Sequence, residues 1–313
     1  MILITGGLGF IGTHTARAFL DLGESCVLTQ HRTARRPDAI SDEIGTRVVI
    51  EKTDVADRAA VLDIGRRHRI TGVVHLAGAG LGALGPFDDL RLGVNGLLNV
   101  LEAAHEWGVP RVSVASTIGV YGGVGGSPFR EDMPLPMTSG HAIQAIKKSA
   151  EILSAVAAAG ASFEVVNLRI AAIWGPLGRA ASPFFAAPGL IHAAVRGEVN
   201  DRPVHAEDGL DMCYVKDCGR AIALLHTADK LNHRLYNLGT GRPTTNSEVA
   251  AAITAVIPGA RIDLLPGRDP DGPGEAQYLD TTRIGEDIGF EPAYDVRAGV
   301  ADYVDWLRSG HDR

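Results

Sequence analysis

Cysteine is scarce in this chain of 313 residues: Cys26, Cys213 and Cys218 are the whole supply. The number is odd and none of them forms a metal-ligand cluster with histidine. That excludes a disulfide-stapled scaffold and a cysteine–histidine metal centre, and no metal is expected. Each cysteine reads as a reduced, small apolar residue. Uninterrupted apolar runs are short, and none approaches the roughly eighteen residues that a membrane span needs. Runs of positive charge are short too, and the formal net charge is −7, so neither nucleic acid nor a membrane surface is an expected partner. No basic segment followed by an apolar stretch precedes the first strand pattern, so no secretory signal is read and the cytoplasm is the expected location. Glycine, by contrast, is plentiful at 38 residues and asks for tight turns and close backbone approaches.

Strand and helix patterns alternate from the first residue. Short runs rich in valine and isoleucine at 1–5, 25–29, 47–51, 72–75, 111–116 and 163–168 read as strands. Helical spacing fills 11–22, 57–68, 88–107 and 141–159 between them. This β-α-β-α order predicts an α/β fold: a Rossmann-type, doubly wound parallel sheet covered on both faces. After Gly175-Pro176 the pattern loosens, with helices at 190–197, 217–227, 247–257 and 296–307 and strands at 212–215 and 235–238. The reading is a dinucleotide-binding domain over 1–175 and a smaller α/β substrate domain over 176–313, with 212–238 returning to the first.

The sharpest local signal is Thr5-Gly6-Gly7-Leu8-Gly9-Phe10-Ile11-Gly12, which follows an apolar strand and opens a helix. Gly6 permits the tight turn, Gly9 lets the backbone approach a pyrophosphate, and Gly12 lets the helix pack close to the sheet. The free amides of Phe10, Ile11 and their neighbours at the helix start then face the phosphate. The acid that usually follows about twenty residues later to hold the ribose 2′-hydroxyl is missing. The second strand ends in Thr29-Gln30-His31-Arg32 instead, and Arg32 can accommodate a 2′-phosphate. The expected cofactor is NAD(P), with NADP slightly favoured over NAD.

Further motifs follow in order: Thr53-Asp54-Val55, His75-Leu76-Ala77-Gly78, Val94-Asn95, Val120-Tyr121-Gly122, Leu168-Arg169, Trp174-Gly175-Pro176, Tyr214-Val215-Lys216-Asp217 and the run from Tyr236 to Gly241. Together with the glycine turn they resemble the extended short-chain dehydrogenase/reductases, and among these the NAD-dependent epimerase/dehydratase family. The resemblance covers nearly the whole chain. It implies that Asp54 and Val55 meet the adenine, that Leu76, Ala77 and Gly78 line the cofactor, and that Asn95 sits in the helix beneath it. It also implies a homodimer through the two long helices, where Leu97, Leu101, Ile152 and Val156 serve either a core or an interface.

For catalysis the resemblance implies a Ser or Thr hydroxyl four residues before the tyrosine of Val-Tyr-Gly, which is Thr117, and a tyrosine four residues before a lysine on the next helix. Glu151 sets the register there, because the family often carries an acid four residues beyond that lysine. Lys147 is then the lysine, and Ile143 stands where the tyrosine belongs. Isoleucine can neither donate nor accept a proton. His141 is the nearest titratable residue, but it points about 200° away around the helix. Two positions of the family's sugar-nucleotide pocket depart as well: Ala172 replaces an asparagine, and Leu210 replaces an arginine before Asp211. Arg268 is a candidate for a second phosphate-binding arginine. The expected activity is redox or epimerase/dehydratase chemistry on a sugar derivative or another hydroxyl/carbonyl substrate. The open alternative is a cofactor-binding protein without redox turnover.

Overall fold

The structure is a computed structural model, and it describes residues 1–32, 34–78 and 85–310. Its first half runs β1 (Ile2–Thr5), α1 (Phe10–Asp21), β2 (Cys26–Gln30), β3 (Val48–Lys52), α2 (Arg58–Arg67), β4 (Gly72–His75), α3 (Pro86–Glu106), β5 (Arg111–Thr117), α4 (Ala142–Ala159) and β6 (Glu164–Ile170). The second half runs β7 (Ala172–Trp174), α5 (Ala187–Val195), β8 (Gly209–Leu210), β9 (Met212–Tyr214), α6 (Val215–Thr227), β10 (Leu235–Leu238), β11 (Thr244–Thr245), α7 (Asn246–Val256), α8 (Thr282–Ile288) and α9 (Val296–Arg308).

Seven strands form one sheet in the order β3-β2-β1-β4-β5-β6-β10, every pair parallel. A strand buried on both faces has no solvent side, which is why Ile2-Leu3-Ile4-Thr5 is buried throughout. One core cluster packs β-strand residues against α1 and α6. A second lies on the other face, against α2, α3 and α4. The strand order reverses between β1 and β4, so the carboxyl ends of these two strands flank the crevice where such sheets take ligands.

The sequence-derived elements all form, with ends shifted by no more than three residues. β10 reaches the central sheet beside β6, whereas β9 pairs with β7 in a separate two-stranded sheet. The short pieces β7, β8, β11 and α8 carry no readable period and are additions to the sequence reading. A third core cluster gathers Trp174, Tyr214, Tyr303 and residues of α5, α7 and α9.

α1 joins these parts. Gly219 of α6 lies against it so closely that a Cβ there would stand 2.6 Å from the His14 backbone. The His14 ring bonds the Pro176 carbonyl through Nε2 at 3.1 Å, which fastens the turn after β7 onto α1.

Burial shifts three histidines. It lowers the pKa of His14 to about 4 and those of His75 and His226 to about 3. In the unfolded chain each titrates near 6.5, so between there and about pH 3 the unfolded state binds more protons than the native one. Stability is unaffected by these groups above pH 6.5 and falls as pH drops below it, by up to about 1.4 kcal/mol per histidine per pH unit. Urea unfolding at a series of pH values is expected to show this decline, and His226→Gln, which keeps a partner for Ser113, is expected to shallow it. A midpoint that stays flat down to about pH 4.5 would contradict the assignment.

Candidate active site

The glycine turn is built as a cradle. Gly6 has φ +67°, a conformation that strains any residue with a Cβ. A Cβ on Gly12 would stand 2.3 Å from the Gly6 carbonyl oxygen, so glycine there sets how near α1 comes to the turn. The α1 start has Gly9 as N-cap, no side-chain cap and no acid in the first turn. Its first amides, from Phe10 onward, are left for an outside acceptor, the arrangement that suits a phosphate. Gly7 escaped the sequence reading: a Cβ there would meet the Ile4 carbonyl at 2.8 Å, and any glycine-run motif contains the signal. The residues present therefore fit a dinucleotide diphosphate.

Thr5 holds the crevice together. Its hydroxyl accepts from the amides of Leu76 and Ala77, both at 3.2 Å, and gives its proton to His75 Nδ1 at 2.9 Å. Leu76 and Ala77 are thereby fixed beside the glycine turn, and Gly78 follows them, exposed. The side chain of Thr29 receives the Gly6 amide at 2.9 Å, which ties the turn to β2.

Of the adenine-side candidates, Val55 is buried and Asp54 lies beside His31, with 3.3 Å between Nε2 and Oδ2. The other Asp54 oxygen accepts from the Ala56 amide at 3.0 Å, a local turn. Arg32 is exposed just past the end of β2. Asn95 is exposed on α3, and its side chain makes no hydrogen bond among the described residues. One helical turn further on, Asn99 bonds the Val55 carbonyl at 3.0 Å. Gly96 and Asn99 share the face of α3 that meets Val55, and Asn95 lies about 100° away from Gly96.

At the end of β5, Thr117 is the N-cap of a 3-10 turn over Ile118–Tyr121, accepting from the Gly119 amide at 3.2 Å. Lys147 points at the same strand end and donates to the Ala115 carbonyl at 2.7 Å. Burial lowers its pKa to about 8. Ile143 lies one turn earlier on the same face of α4. His141 is exposed and is the N-cap of α4, its Nδ1 taking the Gln144 amide at 3.3 Å.

Beneath this surface runs a buried polar chain that the sequence did not reveal. The Ser116 hydroxyl donates to Glu151. Glu151 grips Arg169 through two bonds of 3.0 and 2.8 Å. Arg169 donates to the Tyr121 hydroxyl at 2.9 Å, and Tyr121 donates to Asn237 at 2.8 Å. The motif tyrosine is therefore a buried structural residue, and burial raises its pKa.

A cavity of about 610 Å³ opens beyond the turn at Pro176, walled partly by Phe184, Phe185, Leu190 and Leu210. Carboxylates on its wall outnumber guanidinium groups five to three. Arg268 is one of the three; it is exposed and has no ion pair among the described residues. His205, Asp208 and Asp269 bring ligand atoms within 4.8 Å of one another on this wall, a grouping of distant residues that no sequence spacing announces. Asp211 turns away from the cavity and is fully buried, accepting from the Thr240 amide at 2.7 Å and the Thr240 hydroxyl at 2.8 Å. Ala172 offers only a methyl group, at the start of β7.

The NAD dependent epimerase/dehydratase family matches residues 2–239. UDP-glucose 4-epimerase of Azospirillum brasilense is 28% identical over 98% of this chain and 92% of its own length. The crystal structure of the Thermus thermophilus UDP-glucose 4-epimerase in complex with NAD superposes with a TM-score of 0.81, at 25% identity over 99% of each chain. That of MoeE5 in complex with UDP-glucuronic acid and NAD gives 0.79, at 28% identity over 99% of each chain.

The polar chain has a measurable consequence. The Arg169 side chain is only 4% exposed, so Glu151→Ala leaves a buried cation unpaired and is expected to destabilise by about 3–5 kcal/mol. Glu151→Gln, which keeps an acceptor oxygen, is expected to lose less. Urea denaturation of the two variants checks the order, and equal small losses would show that the pair is not buried as described.

Proposed function

Because this chain belongs to the NAD-dependent epimerase/dehydratase family, we propose that it binds a nicotinamide dinucleotide at the turn between β1 and α1 and uses it on a hydroxyl or carbonyl carbon of a sugar nucleotide or related sugar derivative. The observation that carries this reading is the uncapped start of α1, held against Gly6 by Gly12. In this reading Gly6, Gly9, Phe10, Ile11 and Gly12 surround the diphosphate. Asp54 and Val55 take the adenine side, Leu76, Ala77 and Gly78 the middle, and Lys147 the nicotinamide ribose. Thr117 orients the substrate oxygen. The coenzyme, once bound, supplies hydride transfer; the chain supplies position and a proton route. Residues 176–313, apart from what returns beside β6, form the substrate part.

The relatives with NAD bound support plain NAD, and the missing acid at the end of β2 together with Arg32 supports NADP. Calorimetry with the oxidised and reduced forms of both coenzymes tests the reading. Gly12→Val is expected to abolish binding by filling the cradle. Arg32→Ala is expected to weaken NADP(H) about tenfold or more, the worth of one charge-assisted bond, and to leave NAD(H) little changed. If none of the four coenzymes binds the wild-type chain, the reading fails.

A second reading, binding without redox turnover, is favoured by Ile143. The two part on whether reduced coenzyme accumulates when bound coenzyme meets a panel of sugar nucleotides and free sugars. The cavity's excess of carboxylates, with Ala172 and Leu210 on the sites of two polar ligands, weakens a diphosphate's hold relative to that of an uncharged sugar.

The face made by α3 and α4 is proposed as a self-association surface. Leu97 and Leu101 are core residues, but Leu98, Ile152 and Val156 are 44%, 57% and 70% exposed. A charged pair of substitutions, Ile152→Glu with Val156→Glu, is expected to convert a dimer to a monomer in sedimentation velocity. A wild-type chain that is monomeric at high concentration would remove the surface from consideration.

A further inference from the structure

The site lacks the tyrosine, and among the described residues the other titratable groups around Lys147 are committed elsewhere. On β4, His75 is buried and receives the Thr5 hydroxyl. On α4, Glu151 is occupied by Ser116 and Arg169, and Lys148 donates to the carbonyls of Pro136 and Thr138 at 2.5 and 2.7 Å. On β6, Arg169 is bound to Glu151 and to Tyr121, and Tyr121 in turn to Asn237. On α3, Asp89 is buried with one oxygen unpartnered. It lies one turn before Gly93, which packs on Ile146 of α4, so it belongs to the seam between the helices. His141 is exposed and caps α4. Lys147 differs from all of these: its ammonium has one hydrogen bond, to the carbonyl of Ala115, two residues before Thr117 on the same strand.

We infer that Lys147 is itself the proton carrier of this site, taking the proton of a substrate hydroxyl as its carbon is oxidised and returning it on reduction. The inference rests on the coenzyme-dependent reading above. In the oxidative direction the O–H proton passes to the neutral Lys147 amine, which becomes an ammonium. The C–H bond breaks, its electron pair leaving with the hydrogen as hydride to an oxidised nicotinamide coenzyme, and C–O becomes C=O. A neutral amine has the lone pair this needs and an ammonium has the proton to return. Burial brings the pKa of Lys147 to about 8, so both forms are populated near neutral pH, the condition that acid–base work asks for. The charges of Glu151 and Arg169 match each other, so burial is what lowers the Lys147 pKa.

The test has two arms. In the coenzyme-free full chain, acetic anhydride labelling from about pH 6 to about pH 11, read by mass spectrometry of the Lys147 peptide, is expected to give an apparent pKa near 8, with the exposed Lys52 and Lys230 as internal references. With coenzyme bound and UDP-glucose or UDP-glucuronic acid offered, Lys147→Arg keeps a cation for the ribose but cannot deprotonate. It is expected to hold coenzyme nearly as the wild type does and to lose about 10²–10⁴-fold in turnover. Adding Ile143→Tyr to it is expected to restore part of that turnover, and Asp89→Asn is expected to leave the pH profile in place. A Lys147 that titrates with the exposed lysines overturns the inference, as does a Lys147→Arg variant as active as the wild type. Failure of coenzyme binding in the wild-type chain overturns the earlier reading instead.

Discussion

The first turn of α1 lies so close to the loop after β1 that no side chain fits at Gly12, and much of the molecule is positioned by that approach. Were α1 to move outward by the width of a methyl group, its amides would no longer converge on one point above the turn. The seat of α6 would shift too, because Gly219 rests on the α1 backbone. So would the turn at Pro176, held by the ring of His14. Through α6 the approach reaches β10 at the sheet edge, and through Pro176 it reaches the cavity wall. A single backbone contact thus couples the phosphate cradle to the part of the chain that would receive substrate.

A second constraint acts at the carboxyl ends of β5 and β6. The pair of Glu151 and Arg169 is buried, and such a pair contributes little net stability while making the loss of either partner expensive. What it does provide is direction. Glu151 is fixed by two bonds from Arg169, and Ser116 is fixed by Glu151, so the strand end carrying Thr117 cannot turn freely. Asn237 extends the same chain into β10 and the segment at Phe129. The polar network places the surface residues; none of its members is open to a substrate.

Much of this architecture is legible in the sequence because parallel strands buried on both faces are written as unbroken apolar runs, and the helices between them carry a full apolar stripe. β1 to β6 and α1 to α4 come out with nearly correct ends for that reason. β8 and β11 have two residues each, and no period exists over two residues. The Glu151–Arg169 pair joins residues 18 apart on a helix and a strand, and His205 and Asp208 meet Asp269 across a gap of some sixty positions; spacing cannot announce either. Asn95 shows a different limit. The motif pointed to the right turn of α3, but the helical phase hands the contact with Val55 to Gly96 and Asn99. The glycine turn was legible because its chemistry is local, while the preference between the two coenzymes was not, because it rests on one exposed arginine.

Ile143 bears on energetics as well as on chemistry. A lysine ammonium removed from water costs free energy unless a negative partner stands by. Where a tyrosine sits one turn away, its phenolate supplies that partner in one protonation state. With isoleucine there, the Ala115 carbonyl is the one acceptor given to Lys147 among the described residues, and a carbonyl dipole offsets only part of the cost. The balance then tips toward the neutral amine, which is the form able to accept a proton. The same substitution that removes the expected acid–base group therefore shifts its neighbour toward the state in which it can do that work.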